Sequence, residues 1–440
     1  MGQTIGQARS TALASLQASD YPKSLRAYSA LLDAFPGDLH LRFAIADVVT
    51  RLGMTDEGKQ LLRKLGAFAV PAGYPLLAIA AAHAQEAPLR TPLLTAIAEA
   101  YGAGSPRLGS ATARPGTSDL DSTMADFASD PAPLDAVVDR CLAQAAEIQT
   151  HGPTPPTLAP IPLLSGLGRH ELLAVLQGLR VLRFKDRELV MRQGDPGRSL
   201  YLVAAGELVV FTTDAAGKHQ ELARLREGNL FGEMALLTDQ PRTASVAVMG
   251  EATIIELEKS AIAKAAAHLP SIAENLDRYA RERLVKNLMA TSPLFQPFAK
   301  EQQVELLKRI EGIEYAEDTV ILAEDGPGTG LFIVLTGEVE VSSAQSGTNV
   351  VLAHLHSGDM FGEMSLLSSQ PTSATITSTR PSTLLFLHRD IFASLVSAVP
   401  ALRNTFEAMA RTRFADRDAK LATPPPLAAN EQELEIEILL

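Results

Sequence analysis

One cysteine, Cys141, stands in 440 residues. A lone thiol can build neither an internal disulfide framework nor a cysteine-based zinc site, so it reads as a small apolar residue on a short helix of a protein in a reducing compartment. Positive charge is scarce as well: 39 Lys and Arg against 51 Asp and Glu leave a formal net charge of −12. That balance argues against a broad nonspecific nucleic-acid or anionic-membrane surface, since either needs clustered cations. Long hydrophobic runs are missing too. The stretch LLAIAAAHA from Leu76 falls well short of the roughly 18 residues that span a bilayer, and the N-terminus lacks the basic start and apolar run of a secretion signal. A cytoplasmic chain without membrane insertion is expected.

Catalytic signatures are equally absent. No glycine-rich kinase loop, zinc triad or nucleophile elbow can be found, and the nine histidines are scattered. His354 and His356 in AHLH share one face of a strand, but two imidazoles without a third ligand make no metal site. Non-enzymatic action without metal or cofactor is the expectation. After the last β-rich segment the chain offers one helix, a proline break and an acidic tail, which leaves no room for a helix-turn-helix DNA reader.

What is present falls into zones. Residues 1–101 are Ala- and Leu-rich with helical spacing; 102–160 are crowded with Gly, Ser, Pro and Thr and read as a linker carrying a short helix at about 133–149. Residues 161–290 and 291–415 hold short β-branched runs bounded by turns, and 416–440 read as a flexible acidic tail. The fold class expected is α+β multidomain: a helical region followed by two β-barrel domains with flanking helices. The alternating tail ELEIEIL could add a strand to a partner's sheet. Within the helical zone, SDYPKSLRAYSALLDAFPGD can be laid on GMTDEGKQLLRKLGAFAVPAG at an offset of 34 or 35, placing Ala18 on Leu52, Ser19 on Gly53 and Pro36 on Pro71. A period near 34 is similar to tetratricopeptide repeats, whose stacked helix pairs form a surface for a partner protein.

The β-rich half says nearly the same thing twice. FGEMALLTDQPRTASVAV begins at Phe231 and FGEMSLLSSQPTSATITS at Phe361. Upstream, Pro196 matches Pro327, Gly197 matches Gly328, Leu200 matches Leu331 and Gly206 matches Gly337. Among the positions at which the copies differ, Arg242 in the first becomes Thr372 in the second.

Each copy resembles the cyclic nucleotide-binding domain, an eight-stranded jelly-roll barrel flanked by helices, and their tandem order resembles the regulatory subunits of cyclic-nucleotide-dependent protein kinases. The turn glycines, the GE strand and the FGE loop recur in both, and the first adds the family's PR. The resemblance implies cyclic AMP or cyclic GMP as ligand, held by Phe231, Gly232, Glu233, Met234, Ala235, Arg242 and Thr243. The chemistry suits those roles. Gly232 lets backbone approach the ligand, the N–H groups from about Met234 to Leu236 can converge on an anion, and the planar fork of Arg242 can meet two phosphate oxygens. Glu233 is an acceptor suited to the ribose 2′-hydroxyl. Thr243 resembles the threonine of cyclic-GMP-selective members, whereas cyclic-AMP sites often carry alanine there; the base stays open. The segment NLDRYARERLVKNLM from Asn275 is the candidate lid helix.

In the second copy the corresponding residues are Gly362, Glu363, Met364, Ser365, Thr372 and Ser373. With Thr372 in place of arginine, a phosphodiester would meet N–H groups and hydroxyls but no full positive charge, and weak or absent binding is expected. Two roles fit the whole. One is a cyclic-nucleotide sensor that relays binding to a protein partner through its helical region, with a homo-oligomer also open. The other is an assembly scaffold whose β-rolls are packing modules with a vestigial ligand site. The kinase-inhibitory RR pseudosubstrate of the regulatory subunits is missing from the linker, which counts against a kinase as the partner.

Overall fold

Short polar side chains start the first helices. Thr4 closes a capping box with Gln7, Asp20 accepts from the Lys23 N–H, and Asp38 accepts from those of His40 and Leu41; such caps are each worth about 1 kcal/mol. They open α1 (Ile5–Gln17), α2 (Tyr21–Ala34) and α3 (Leu39–Arg51), which are followed by α4 (Thr55–Ala72), α5 (Pro75–His83) and α6 (Ala87–Tyr101). The structure is a computed structural model describing residues 3–109, 124–125, 132–148, 154–161, 163–213, 217–232, 241–242, 244–267, 269, 278, 281–282, 284–286, 288–289, 292–345, 348–368 and 370–422. The chain separates into two compact units, Met1–Ala280 and Arg281–Leu440.

From α1 to α6 each helix packs on the next. From Ile5 to Leu39, and from Tyr21 to Thr55, the offset between equivalent helix starts is 34 residues. Ser19 (φ 61°) and Gly53 (φ 90°) occupy the same left-handed turn position, which is why the two segments overlay in sequence. Pro36 and Pro71 are less alike: the first follows α2, and the second sits in the last turn of α4. The segment read as a linker contributes α7 (Leu134–Ala146), which buries Val137, Val138 and Cys141 and packs on α2 and α4. Burial raises the Cys141 thiol pKa above its ordinary value.

The first β-roll follows α8 (Arg169–Gln177). Its strands are β1 (Arg180–Phe184), β2 (Leu189–Met191), β3 (Ser199–Thr213), β4 (His219–Leu225), β5 (Leu230–Phe231) and β6 (Ser245–Glu258), closed by α9 (Lys259–Ala266). The order is β1-β6-β3-β4, with β2 on β6 and β5 on β3, all antiparallel. The long strand β3 changes register on both sides of Ala205. Gly206 makes that bend at φ 98°, and a Cβ there would lie 2.3 Å from the Glu251 carbonyl oxygen, so the GE glycine has a steric cause.

The helical region and this roll share one hydrophobic core, running from Leu31 and Ile45 through Leu172 to Leu202 and Ile255. Polar ties reinforce it. Arg51 makes a two-pronged bond to Glu251 at 3.0 and 3.1 Å and pairs with Asp47 at 2.8 Å, while His40 Nε2 lies 2.6 Å from Glu227. The helices are therefore fused to the roll.

His83 is part of the same seam, its Nε2 lying 3.0 Å from the Leu176 carbonyl oxygen, and burial lowers its pKa below the ordinary imidazole value. A depressed histidine stays neutral in the fold while the unfolded chain takes up a proton. Its contribution is therefore present above about pH 6.5 and is lost as pH falls toward the folded pKa. The melting temperature of the first unit should fall between pH 7.5 and 5.5, and His83→Gln should flatten that slope in a calorimetric pH series.

The second unit carries α10 (Lys300–Leu307) and eight strands: β7 (Glu311–Tyr315), β8 (Val320–Leu322), β9 (Gly330–Thr336), β10 (Val339–Gln345), β11 (Thr348–Leu355), β12 (Met360–Phe361), β13 (Thr375–Ser378) and β14 (Ser382–His388). Two four-stranded sheets, ordered β8-β13-β10-β11 and β12-β9-β14-β7, close on a core of Leu322, Phe332, Val334, Ile376, Leu384 and Phe386. The short α11 (Glu363–Ser368) lies in the FGE loop, and α12 (Arg389–Ala398) and α13 (Pro400–Ala422) follow the last of these strands. Helix α13 is anchored by fully buried Leu402 and Phe406, the latter edge-on to Phe392 at 5.1 Å.

Helix α13 thus runs past residue 416, where a tail was expected to begin; its apolar anchors and the cations described below keep it docked. The stretch ELEIEIL lies outside the described residues, as do residues 275–277, 279–280, 283 and 287 of the expected lid segment. Among the described residues no helix is long and apolar enough to cross a membrane, and no group of three or more His, Cys, Asp or Glu is placed to hold a metal.

Candidate functional site

The two FGE loops start alike. Strand β5 ends with Phe231 stacked on Tyr201 at 5.2 Å, and β12 ends with Phe361 stacked on Phe332 at 4.9 Å. Each is followed by a glycine in the left-handed region, Gly232 at φ 76° and Gly362 at φ 91°. A Cβ on Gly362 would come within 2.4 Å of the Gly330 carbonyl oxygen, and one on Gly232 within 2.8 Å of the Arg242 guanidinium. In both rolls only glycine fits.

The strand returning beside the loop is also placed identically. In the first roll the Gly194 N–H donates to the Arg242 carbonyl and the Arg242 N–H to the Asp195 carbonyl, both at 2.8 Å; in the second, Asp325 N–H donates to Thr372 and Thr372 N–H to Gly326, both at 2.9 Å. From this common position the side chains part. Arg242 is 8% exposed and runs inward, its Nη2 donating to the Ser199 carbonyl at 2.6 Å and its Nη1 to the Gly232 carbonyl at 3.0 Å. Its guanidinium carbon lies 5.6 Å from the centre of the Tyr201 ring. Among the described residues no carboxylate pairs with it. Thr372 instead turns back on the 323–326 turn, accepting from the Gly326 N–H at 2.9 Å and donating to the Ala323 carbonyl.

Of the first-site residues expected from sequence, the structure describes Phe231, Gly232 and Arg242 and brings all three together. Glu233, Met234, Ala235 and Thr243 lie outside the described residues. The second site is described throughout the expected positions. Gly362, Glu363, Met364, Ser365, Thr372 and Ser373 all line one cavity of about 420 Å³, together with the apolar Leu322, Val341, Leu355 and Ile376. Glu363 is 1% exposed, and its Oε1 lies 2.7 Å from Arg413 Nη1. The Thr372 hydroxyl is committed to the backbone, so it has little to offer a ligand.

One premise of the sequence reading is corrected by this cavity. The second pocket was expected to hold no full positive charge, yet Arg413, Arg417 and Lys420 of α13 all line it. They come from a helix that follows the roll, and position 372 gives no hint of them. A signal was nonetheless present: in RTRFADRDAK the cations recur at 413, 417 and 420, the spacing that puts side chains on one helix face. His354 of β11 and His356 just past its end face a carboxylate: His354 Nδ1 is 3.0 Å and His356 Nδ1 3.9 Å from Glu338, and Arg380 Nε is 3.7 Å from the same carboxylate.

Comparison with known proteins agrees with this geometry. The family described as "Cyclic nucleotide-binding domain" matches residues 181–268 and 313–398. Two segments of this chain are cyclic nucleotide-binding domains. The cAMP-dependent protein kinase regulatory subunit of Dictyostelium discoideum is 24% identical over 54% of this chain and 71% of its own length. That of Blastocladiella emersonii is 25% identical over 49% and 51%, and the cGMP-dependent protein kinase egl-4 of Caenorhabditis elegans is 24% identical over 55% and 30%. The chain thus spans about half of the second relative and under a third of the third. Among solved structures, the regulatory domain of Toxoplasma gondii PKA with cAMP shares 19% identity, covering 57% of this chain and 92% of that one at a TM-score of 0.27. The helical region lies outside both matched segments, and the described parts of both cyclic nucleotide-binding domains are β-rolls with flanking helices.

Proposed function

We propose that this chain is a cyclic-nucleotide sensor of the cytoplasm, which takes cyclic AMP or cyclic GMP into its first cyclic nucleotide-binding domain and passes the event to a protein partner through the fused helical region. The observation that carries the reading is Arg242. Among the described residues the buried guanidinium is held by two carbonyls and no carboxylate, and burying a positive charge is costly unless something anionic completes it. A cyclic phosphodiester brings one negative charge and two oxygens, which match the guanidinium fork. Glu233 and Thr243 are assigned the ribose hydroxyl and the base.

The relay has a physical path. Glu227 opens the turn that leads into β5, four residues before Phe231, and it is held at 2.6 Å by His40 of α3. A shift of the loop on ligand binding therefore reaches the helix pairs through a direct polar contact, and the size of any response is limited by the ligand's differential affinity for the two arrangements. The test is thermal unfolding of the full chain with cyclic AMP, cyclic GMP or neither, after bound ligand has been extracted. At 100 times its dissociation constant the ligand should stabilise the first unit by about 2.7 kcal/mol. If neither nucleotide moves the transition, the sensor reading fails and the rolls are left as packing modules.

A further inference from the structure

The second cyclic nucleotide-binding domain has lost the arginine but kept the cavity. At about 420 Å³ it falls in the range of small-molecule sites, with an apolar wall suited to a flat base and polar groups gathered at one end. The charges on its lining are Glu363 and Asp416 against Arg413, Arg417 and Lys420, an excess of one positive charge. They are not equally engaged. Arg413 is satisfied by Glu363 and the Met360 carbonyl, and Lys420 donates to the Leu352 carbonyl.

Arg417 is the exception. Its Nε is buried and has no hydrogen-bond partner among the described residues, and its nearest carboxylates are Asp418 at 3.8 Å and Glu324 at 3.9 Å. Glu324 also accepts from Ser343 Oγ at 2.5 Å and the Ala344 N–H at 2.8 Å. A guanidinium with a buried unmet N–H, lining a cavity of nucleotide size, is an incomplete anion site.

We propose that the second domain binds a phosphate-bearing nucleoside, and that Arg417 of α13 supplies the positive charge which position 372 lacks. The proposal rests on the nucleotide-binding reading of the fold. It differs in where the charge stands: in the first domain the counter-charge belongs to the barrel, whereas in the second it belongs to the helix that covers the cavity. Ligand and helix docking then depend on each other in the second domain, and anything that pulls α13 away removes the site.

The experiment is equilibrium dialysis of the full chain with labelled cyclic AMP, cyclic GMP, the two 5′-monophosphates and the two uncharged nucleosides. Wild type should bind phosphate-bearing nucleoside at two sites per chain. Arg242→Ala should leave one site, and adding Arg417→Gln should weaken that remaining site by about tenfold or more, as expected for the loss of a charge-assisted hydrogen bond, with partial rescue by Arg417→Lys. Arg417 is partly exposed, and an unchanged melting transition of the second unit will show that the variants fold. If Arg242→Ala leaves no saturable site, or the residual site ignores Arg417→Gln, the proposal is overturned while the first-domain sensor stands. If uncharged nucleosides bind the residual site as well as the phosphates do, the charge is not read and the proposal is likewise overturned. If wild type binds nothing, both readings fall together.

Discussion

Arg242→Ala is expected to weaken cyclic-nucleotide binding by the first domain by about 100- to 1000-fold, while moving the melting temperature of the ligand-free protein little. The first number follows from the geometry. Breaking a buried, two-pronged charge pair costs about 3–5 kcal/mol, and each 1.4 kcal/mol is a decade of affinity. The second follows from cancellation. In the free protein Arg242 gives two hydrogen bonds, to Ser199 and Gly232, worth about 1.5–3 kcal/mol each for a charged donor. Against them stands the cost of keeping a guanidinium 8% exposed with no anion beside it among the described residues, which is several kcal/mol for an ion removed from water.

The two terms are of one size, so truncation removes both and the net change is small. A purely structural arginine behaves the other way, because its loss unfolds the domain and its presence makes no difference to ligand. Calorimetry of the free protein and titration with cyclic AMP and cyclic GMP separate the two cases. Loss of folding with retained binding in the surviving fraction would sink the assignment. Arg242→Lys sharpens the test, since it keeps the charge and loses the fork; an affinity between those of wild type and the alanine variant is expected.

The repeated sentence in the β-rich half was legible because its words have local causes. Gly206 must be glycine for a strand to bend against the Glu251 carbonyl, and Gly337, Gly232 and Gly362 meet similarly close neighbours. Such constraints act over a few residues and repeat wherever the fold repeats. The 34-residue period of the helices was legible for the same reason, since Ser19 and Gly53 fill one turn. What the sequence hid are partnerships between distant positions. Arg51 and Glu251 stand 200 residues apart, so nothing local announces that the helices are fused to the first roll. The direction of a side chain was hidden too. Arg242 and Thr372 share a backbone position, but the hydroxyl of Thr372 is short enough to satisfy its own turn. The second pocket consequently looked uncharged from its loop, although its cations sit on α13.

The largest stability effect is expected at the other end of that helix's polar face, where Arg413 meets Glu363. The Glu363 carboxylate is 1% exposed with its Oε1 2.7 Å from Arg413 Nη1, which also donates to the Met360 carbonyl at 2.6 Å. Arg413→Ala leaves a buried carboxylate unpaired, and removing one partner of such a pair costs about 3–5 kcal/mol. The second unit has one way to escape that cost, which is to let water in by releasing the last turns of α13. Leu402 and Phe406 hold the start of the helix by burial, so release should stop short of them. The expected result is therefore twofold: a lowered denaturation midpoint for the second unit, and new protease cleavage after Arg411 or Arg417. Glu363→Gln in the same chain removes the orphaned charge and should recover much of the lost stability, whereas Glu363→Gln alone should cost less than Arg413→Ala. If Arg413→Ala melts like wild type and resists protease, the ion pair does not hold the helix over the cavity. The helix would then be docked by its apolar anchors alone, and the positive charge of the second site would not depend on this latch.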